Sequence, residues 1–290
     1  MKVDAATTLG FSAYGIETAL QQISELGFDK VELSQMGTFC VHLPYPETES
    51  QLVKEALDRH GLQPIAFNIS TGWFQRDREH HFFDYTEEAD RREAILQGRW
   101  YIELAAKLGV STLTIGSARR QLEDGIWLRN LRAAAGAFRE QAKIASDLGI
   151  YIHLEVPHLF QIYDSVDHVK AMFEEVDHPA VGATVDTSHW GIIEYDLYDL
   201  FDFLGDRLRH VHLRDSAGTD TQDFRQDLEL TPGRGTVDFT FFREALQRAN
   251  YQGTVSLDFE YRMPDISHII QEYEFGISTL NAAGWELNGP

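Results

Sequence analysis

Two hydrophobic spacings alternate along the chain. Apolar residues recur every third or fourth position over 16–26 and again over 166–176, which is typical of helices with one buried face. Short β-rich runs lie between such segments, for example KVELS after Gly27 and QPIAFNIS after Gly61. A glycine just past a helix permits the left-handed turn that leads into the next strand. The pattern therefore predicts helices and strands in alternation.

The β-rich runs number eight, of which the first is the weakest. In chain order they lie in the segments KVDAATTLG, KVELS, QPIAFNIS, STLTIGS, IYIHLEV, HPAVGATVD, GDRLRHVHL and TVSLDFEY. Strands that alternate with helices pair in parallel through helical crossovers. Eight such units, with no linker or low-complexity break, predict one α/β domain over residues 1–290. The predicted fold is a single (β/α)8 TIM barrel with its active site at the C-terminal ends of the strands.

The last four runs carry polar residues on the face that should line the barrel interior. Residues two apart in a strand share a face, so Tyr151, His153 and Glu155 oppose an apolar side that suits packing under the outer helices. A lumen with this many ionisable groups costs stability unless something compensates them. A buried salt-bridge network is one explanation, and a bound cation is the better one.

The last inward residues of the fifth to eighth runs form a candidate metal site. They are Glu155, Asp186, His212 and Glu260, one from each run. Active sites of such barrels are assembled from several strand ends, so we expect these four side chains to meet. Three carboxylates and one imidazole, with no thiolate, favour Mn²⁺, Mg²⁺ or Co²⁺ and leave Zn²⁺ possible.

Composition narrows the classes of partner. The chain has 25 Lys and Arg against 46 Asp and Glu, a net charge of −21, and no basic cluster that would bind a nucleic-acid backbone. The single cysteine, Cys40, cannot form an internal disulfide and favours a reducing compartment, so we expect a cytoplasmic protein. The sequence contains no run of about 18 apolar residues, so no membrane span is predicted.

Four motifs carry a resemblance to a known family. They are HLEVPH (153–158), VDTSH (185–189), HVHLRD (210–215) and LDFEY (257–261). In this order they resemble the xylose isomerase-like TIM-barrel superfamily, and the resemblance covers nearly the whole chain. That superfamily includes ketose 3-epimerases, hydroxypyruvate isomerases, inosose dehydratases and AP endonucleases of the endonuclease IV type.

The resemblance implies one divalent metal ion and a set of roles. Glu155, Asp186, His212 and Glu260 correspond to the metal ligands, with Mn²⁺ favoured and Co²⁺, Mg²⁺ or Zn²⁺ open. Glu155 and Glu260 would also act as acid and base, His189 would contact a substrate oxygen, and a homo-oligomer is plausible. AP endonucleases of this superfamily have an additional histidine where this chain has Glu229 before PGRG. This departure predicts one metal ion rather than three and disfavours a nucleic-acid substrate.

The implied reaction is isomerisation or epimerisation of a small carbohydrate, either a ketose or a polyol ketone. A metal-chelated carbonyl acidifies the neighbouring C–H bond, and the proton leaves to give an enediolate. Expulsion of a β-hydroxyl after the same first step would instead make the protein a dehydratase of an inosose or a 3-dehydroshikimate-like substrate. A third reading is a non-catalytic binding subunit, although such a role gives no reason for an ionisable lumen.

Further residues are candidates for substrate contacts. Trp73 follows the third run and could stack on a sugar face, or pack within its own loop. Arg119 follows the fourth run and could clamp an anionic group, or lie solvated at a helix start. His158, three residues past Glu155, could reach a substrate hydroxyl, and Arg214 shares the inward face of His212.

Overall fold

The fold is a closed barrel of eight parallel strands, seen in a computed structural model that describes residues 1–37, 39–70, 83–115, 126–159, 161–217, 230–261 and 265–287. The strands are β1 (Ala5–Thr7), β2 (Lys30–Met36), β3 (Cys40–Val41), β4 (Gln63–Ser70), β5 (Thr112–Ile115), β6 (Tyr151–Glu155), β7 (Val181–Asp186), β8 (Leu208–Leu213) and β9 (Thr254–Leu257). Of these, β3 is a short antiparallel addition to β2 outside the barrel.

Pairing of the first strand with both of its neighbours closes the barrel. Ala6 pairs with Val31 of β2 on one side and with Leu257 of β9 on the other, and both pairings are parallel. The remaining strands follow in the order β9, β8, β7, β6, β5, β4 and β2. Consecutive strands therefore lie side by side, as parallel strands joined by right-handed helical crossovers do.

Nine α-helices lie among the described residues. They are α1 (Ile16–Glu25), α2 (Ser50–His60), α3 (Glu88–Leu108), α4 (Trp127–Asp147), α5 (Val166–Val176), α6 (Thr187–Ile193), α7 (Leu197–Leu204), α8 (Phe239–Arg248) and α9 (Ile266–Ala282). Gly61 ends α2 at φ 66° and Gly109 ends α3 at φ 73°, so both glycines supply the predicted left-handed turn.

The main hydrophobic core lies between the barrel wall and the helices. Leu154, Val185, Val211 and Leu257 are fully buried on the outward faces of β6 to β9. Their inward neighbours in sequence are polar, so the alternation of the strands separates an apolar layer from an ionisable lumen. This arrangement confirms the predicted barrel and the predicted facing of its last four strands.

No helix among the described residues combines the length and apolar character needed to cross a membrane. Cys40, at the start of β3, is buried as a free thiol. The predicted cytoplasmic location and homo-oligomer stay predictions.

Candidate metal centre

Two of the predicted ligands end neighbouring strands. Glu155 is the last residue of β6, and Asp186 is the last residue of β7. Asp186 also caps α6, because its Oδ1 accepts hydrogen bonds of 2.7 Å from both the backbone N–H and the hydroxyl of Ser188. This cap fixes one oxygen of Asp186, and the other, Oδ2, accepts from the guanidinium of Arg214 at 2.6 Å.

His212 lies in β8 with its imidazole inside the lumen. Its Nδ1 is 2.9 Å from Oε1 of Glu155 and 3.4 Å from Oδ2 of Asp258. Asp258 directly follows β9, and its backbone N–H donates to the carbonyl of Leu213 at 3.2 Å. The strand ladder therefore continues to the residue that brings this carboxylate against His212.

Four potential ligand atoms converge at this end of the barrel. Glu155, Asp186, His212 and Asp258 each offer one atom, and these atoms all lie within 4.8 Å of one another. Oδ1 of Asp258 is buried and has no hydrogen-bond partner among the described residues. A buried carboxylate oxygen without a donor is costly, and a cation would satisfy it. The donor set thus fits a divalent metal ion of the kind that oxygen and imidazole ligands hold.

Glu260 lies outside this group of four. Its Oε1 accepts a hydrogen bond of 2.6 Å from Nη1 of Arg214, and Nη2 of the same guanidinium donates to Oδ2 of Asp186 at 2.6 Å. Arg214 also donates from Nε to the hydroxyl of Ser188 at 3.2 Å. Arg214 therefore lies at the rim of the candidate centre, and it joins the carboxylate of Glu260 to that of Asp186.

The electrostatics of the group also favour a cation. Burial raises the pKa of Asp258 to about 7 against the opposing effect of His212 and Arg214, which lower it. Burial would lower the pKa of His212, but the carboxylates of Glu32, Asp258 and Glu155 hold that pKa well above its usual range. In the metal-free protein, a proton on His212 therefore supplies positive charge that a bound cation could supply instead.

Two further histidines border the centre. The rings of His158 and His189 are 4.0 Å apart between centroids, and Nε2 of His158 is 3.8 Å from Oε2 of Glu155. Burial is the main cause that lowers the pKa of each histidine to about 3, so both stay neutral. Both ring nitrogens of His189 are buried without a hydrogen-bond partner among the described residues. A polar ligand with hydroxyl groups would satisfy them.

Sequence reasoning missed Asp258 and Glu32. Glu32 lies in β2, fully buried, with Oε2 2.8 Å from Nε2 of His210 and Oε1 3.2 Å from Nε2 of His212. Burial would raise the pKa of Glu32, but these two histidines hold it well below its usual range. The alternation of β2, which places Glu32 and Ser34 on one face, was the available signal.

Asp215 holds the loop that carries the PGRG motif. Its Oδ1 accepts from the backbone N–H groups of Ser216 and Val237, at 2.8 and 3.0 Å. Its Oδ2 accepts from those of Gly233 and Gly235, at 2.8 and 2.9 Å. A Cβ on Gly235 would lie 2.2 Å from the carbonyl oxygen of Ser216, so only glycine fits there. Asp215 therefore anchors this loop to the residues that follow β8.

The remaining predicted residues fall outside the described part of the chain. Trp73, Arg119 and Glu229 belong to the segments 71–82, 116–125 and 218–229. The roles predicted for Trp73 and Arg119 stay predictions.

Comparison with known proteins identifies the family. The family model described as Xylose isomerase-like TIM barrel matches residues 20–281, and the chain belongs to that family. A ketose 3-epimerase from Arthrobacter globiformis is 29% identical over 272 residues, which are 90% of this chain and 84% of that protein. An inosose dehydratase from Geobacillus thermodenitrificans is 24% identical over 230 residues, 72% of each chain.

The fold also matches solved structures. The IOLI protein with a bound zinc atom aligns with a TM-score of 0.77 and 17% identity, over 98% of this chain and 99% of that one. At this identity the likeness concerns the fold alone.

Proposed function

We propose that the chain is a divalent-metal-dependent isomerase or epimerase of a small carbohydrate, either a ketose or a polyol ketone. The observation that carries the proposal is the convergence of Glu155, Asp186, His212 and Asp258 within 4.8 Å at the strand ends. The similarity to a ketose 3-epimerase over 90% of the chain supports the choice of substrate class. The ion we propose is Mn²⁺, because most of the ligands are carboxylates.

The proposed ligands are these four residues, with Asp258 in the position predicted for Glu260. When bound, a divalent ion supplies electron withdrawal from a ketone oxygen and an adjacent hydroxyl, which acidifies the C–H bond between them. Asp186, His212 and Asp258 have side chains 0–2% exposed, so they can hold an ion but have little contact with a substrate.

Glu155 and Glu260 are the proposed acid and base. Their side chains are 18% and 17% exposed, so both carboxylates can be reached from the mouth of the barrel. They follow different parts of the wall, at the end of β6 and just after β9. One carboxylate can remove a proton from one face of the substrate while the other returns a proton to the opposite face. The hydrogen bond from Arg214 orients Glu260 for this step.

The neutral His158 and His189 are proposed to bind substrate hydroxyl groups. A neutral imidazole has one donor and one acceptor nitrogen, which matches a hydroxyl group in either role. We also propose Arg214, Trp73 and Arg119 as substrate contacts.

Solvent exchange tests the proposed reaction. Chelator-stripped protein reloaded with Mn²⁺ is incubated with ketoses and keto-polyols in D₂O, quenched, freed of metal and analysed by NMR. We expect deuterium at the carbon next to the carbonyl together with the epimer or isomer, and neither with Glu155→Gln. If no substrate of either class exchanges with the metal-loaded protein, the proposal is wrong.

The same experiment distinguishes the alternative reaction. The similarity to an inosose dehydratase over 72% of each chain is the observation that favours it. Loss of water from an inosose, with no return of the starting ketone as its epimer, would make the protein a dehydratase.

A further inference from the structure

A chain of hydrogen-bonding groups runs from β9 across the lumen to His212. Oγ1 of Thr254 is 2.7 Å from Nδ1 of His210, and Nε2 of His210 is 2.8 Å from Oε2 of Glu32. The other oxygen of Glu32, Oε1, is 3.2 Å from Nε2 of His212. Glu32, His210 and His212 are all fully buried.

The protonation of this chain follows from the chemistry of its members. An ionised carboxylate only accepts hydrogen bonds, so each imidazole nitrogen that faces Glu32 must carry a hydrogen. His210 and His212 therefore both donate to Glu32 from Nε2. Nδ1 of His210 is then free to accept from the hydroxyl of Thr254. In His212 the remaining nitrogen, Nδ1, lies on the side of Glu155 and Asp258.

We propose that Glu32 is a positioning residue that makes Nδ1 of His212 the metal-coordinating atom, a role that rests on the proposed metal centre. Glu32 accepts from Nε2 of His212 and so holds the ring with Nδ1 facing Glu155 and Asp258. When a metal ion displaces the hydrogen on Nδ1, Glu32 would keep the remaining hydrogen of His212 on Nε2. His210 and Thr254 fix Glu32 from its other oxygen. A metal-bound histidine that donates its second N–H to a carboxylate is better oriented and more basic than one without that partner.

A purely structural ion pair would not require this arrangement. Glu32 could accept from His210 alone, which lies closer to it than His212 does. Instead its two oxygens are divided between two histidines, of which one is a proposed ligand. The lumen thus has an inner layer, formed by Glu32 and His210, that supports the outer layer of ligands.

Metal affinity is the first test. Glu32→Gln keeps the shape of the side chain but places an N–H₂ group against one of the two imidazole N–H groups. We expect calorimetric titration of the chelator-stripped variant with Mn²⁺ to show an affinity about 10- to 100-fold below that of the wild type. Thr114→Val is the matched control, because Thr114 is buried and its hydroxyl lies 2.8 Å from that of Thr184, which is not a proposed ligand. It should bind Mn²⁺ as the wild type does.

The imidazole tautomer is the second test, and it needs no variant of Glu32 to fold. In ¹⁵N-histidine-labelled wild-type protein loaded with Zn²⁺, NMR should show His212 with a protonated Nε2 and a metal-bound Nδ1. Signals of His210 are assigned by their loss in His210→Gln. A metal-bound Nε2, or Glu32→Gln with wild-type affinity, would overturn the role of Glu32 and leave the metal centre standing. A wild-type protein that binds neither ion would overturn both.

Discussion

The carboxylate of Asp258 lies against the imidazole of His212, with Oδ2 3.4 Å from Nδ1, while Glu260, two residues later, bonds to Arg214 at 2.6 Å. Two acidic residues on one face of the same chain segment therefore have different partners. We infer different tasks: Asp258 holds the metal ion, and Glu260 transfers a proton.

Glu260→Gln should separate these tasks. The variant keeps a side chain that can accept from Arg214 but cannot take up a proton, so turnover should fall about 10²- to 10⁴-fold while the metal content stays at the wild-type level. Steady-state rates and elemental analysis of the same sample measure both. Glu244→Gln, which changes an exposed glutamate of α8, is the control and should keep wild-type rates. Loss of metal from Glu260→Gln would show that Glu260 is itself a ligand.

Asp258→Asn should stabilise the metal-free protein at pH 8. The pKa of Asp258 is about 7 in the folded protein against an ordinary value of 3.8, so folding favours its protonated form. Protonated Asp258 therefore contributes to the free energy of unfolding fully below pH 3.8, and this contribution is lost as the pH rises through about 7. Asparagine avoids the loss, and thermal unfolding with a chelator should give a higher Tm for the variant at pH 8 and a smaller difference at pH 5. A Tm of the variant below that of the wild type at pH 8 would contradict the conclusion that ionised Asp258 destabilises the metal-free protein.

The two neutral histidines should make the protein sensitive to acid. The pKa values of His158 and His189 fall from 6.5 to about 3 on folding. Between these pH values the unfolded chain therefore binds protons at the two histidines and the folded chain does not. The free energy of unfolding is therefore highest above pH 6.5 and decreases as the pH falls toward 3. His189→Gln should show a shallower decrease in urea titrations of metal-free protein between these limits. An unchanged slope would mean that His189 is charged when folded.

Arg214→Met should destabilise the metal-free protein. The change removes the buried guanidinium from Asp186 and Glu260, and breaking such a buried pair costs about 3–5 kcal/mol of unfolding free energy. Arg234→Met is the matched control, because its pair with Glu272 is half exposed on the arginine side and should contribute much less to the free energy of unfolding. Denaturant titrations compare the free energies of unfolding of the two variants. Equal losses would contradict a larger contribution from the buried ion pairs of Arg214.

The fold was predictable because its signals are local and repeated. Glycines such as Gly61 and Gly109 end helices, and the strands that follow them alternate or bury both faces. Each strand–helix unit specifies its own crossover connection, and eight such units in succession are the number that closes a (β/α)8 barrel. The inward facing of Glu155, Asp186 and His212 followed from the two-residue period of the strands.

The identity of the fourth member of the cluster was not predictable in the same way. Asp258 and Glu260 share one face of the last run, and periodicity alone does not say which of them reaches the level of His212. That level depends on the stagger between strands, in which His212 pairs with Ser256 and β9 ends at Leu257. Glu32 was missed for a related reason, since its partners lie about 180 residues away and only barrel closure brings them together.

The metal content of the purified protein shows whether Glu155, Asp186, His212 and Asp258 hold an ion. Chelator-stripped wild type, Asp258→Asn and Glu260→Gln are each dialysed against Mn²⁺, freed of excess ion and analysed for metal per chain. We expect about one tightly held ion in the wild type and in Glu260→Gln, and none in Asp258→Asn. A wild-type protein that holds no ion under these conditions, or an Asp258→Asn variant that holds it as tightly as the wild type, would contradict a metal site formed by these four residues.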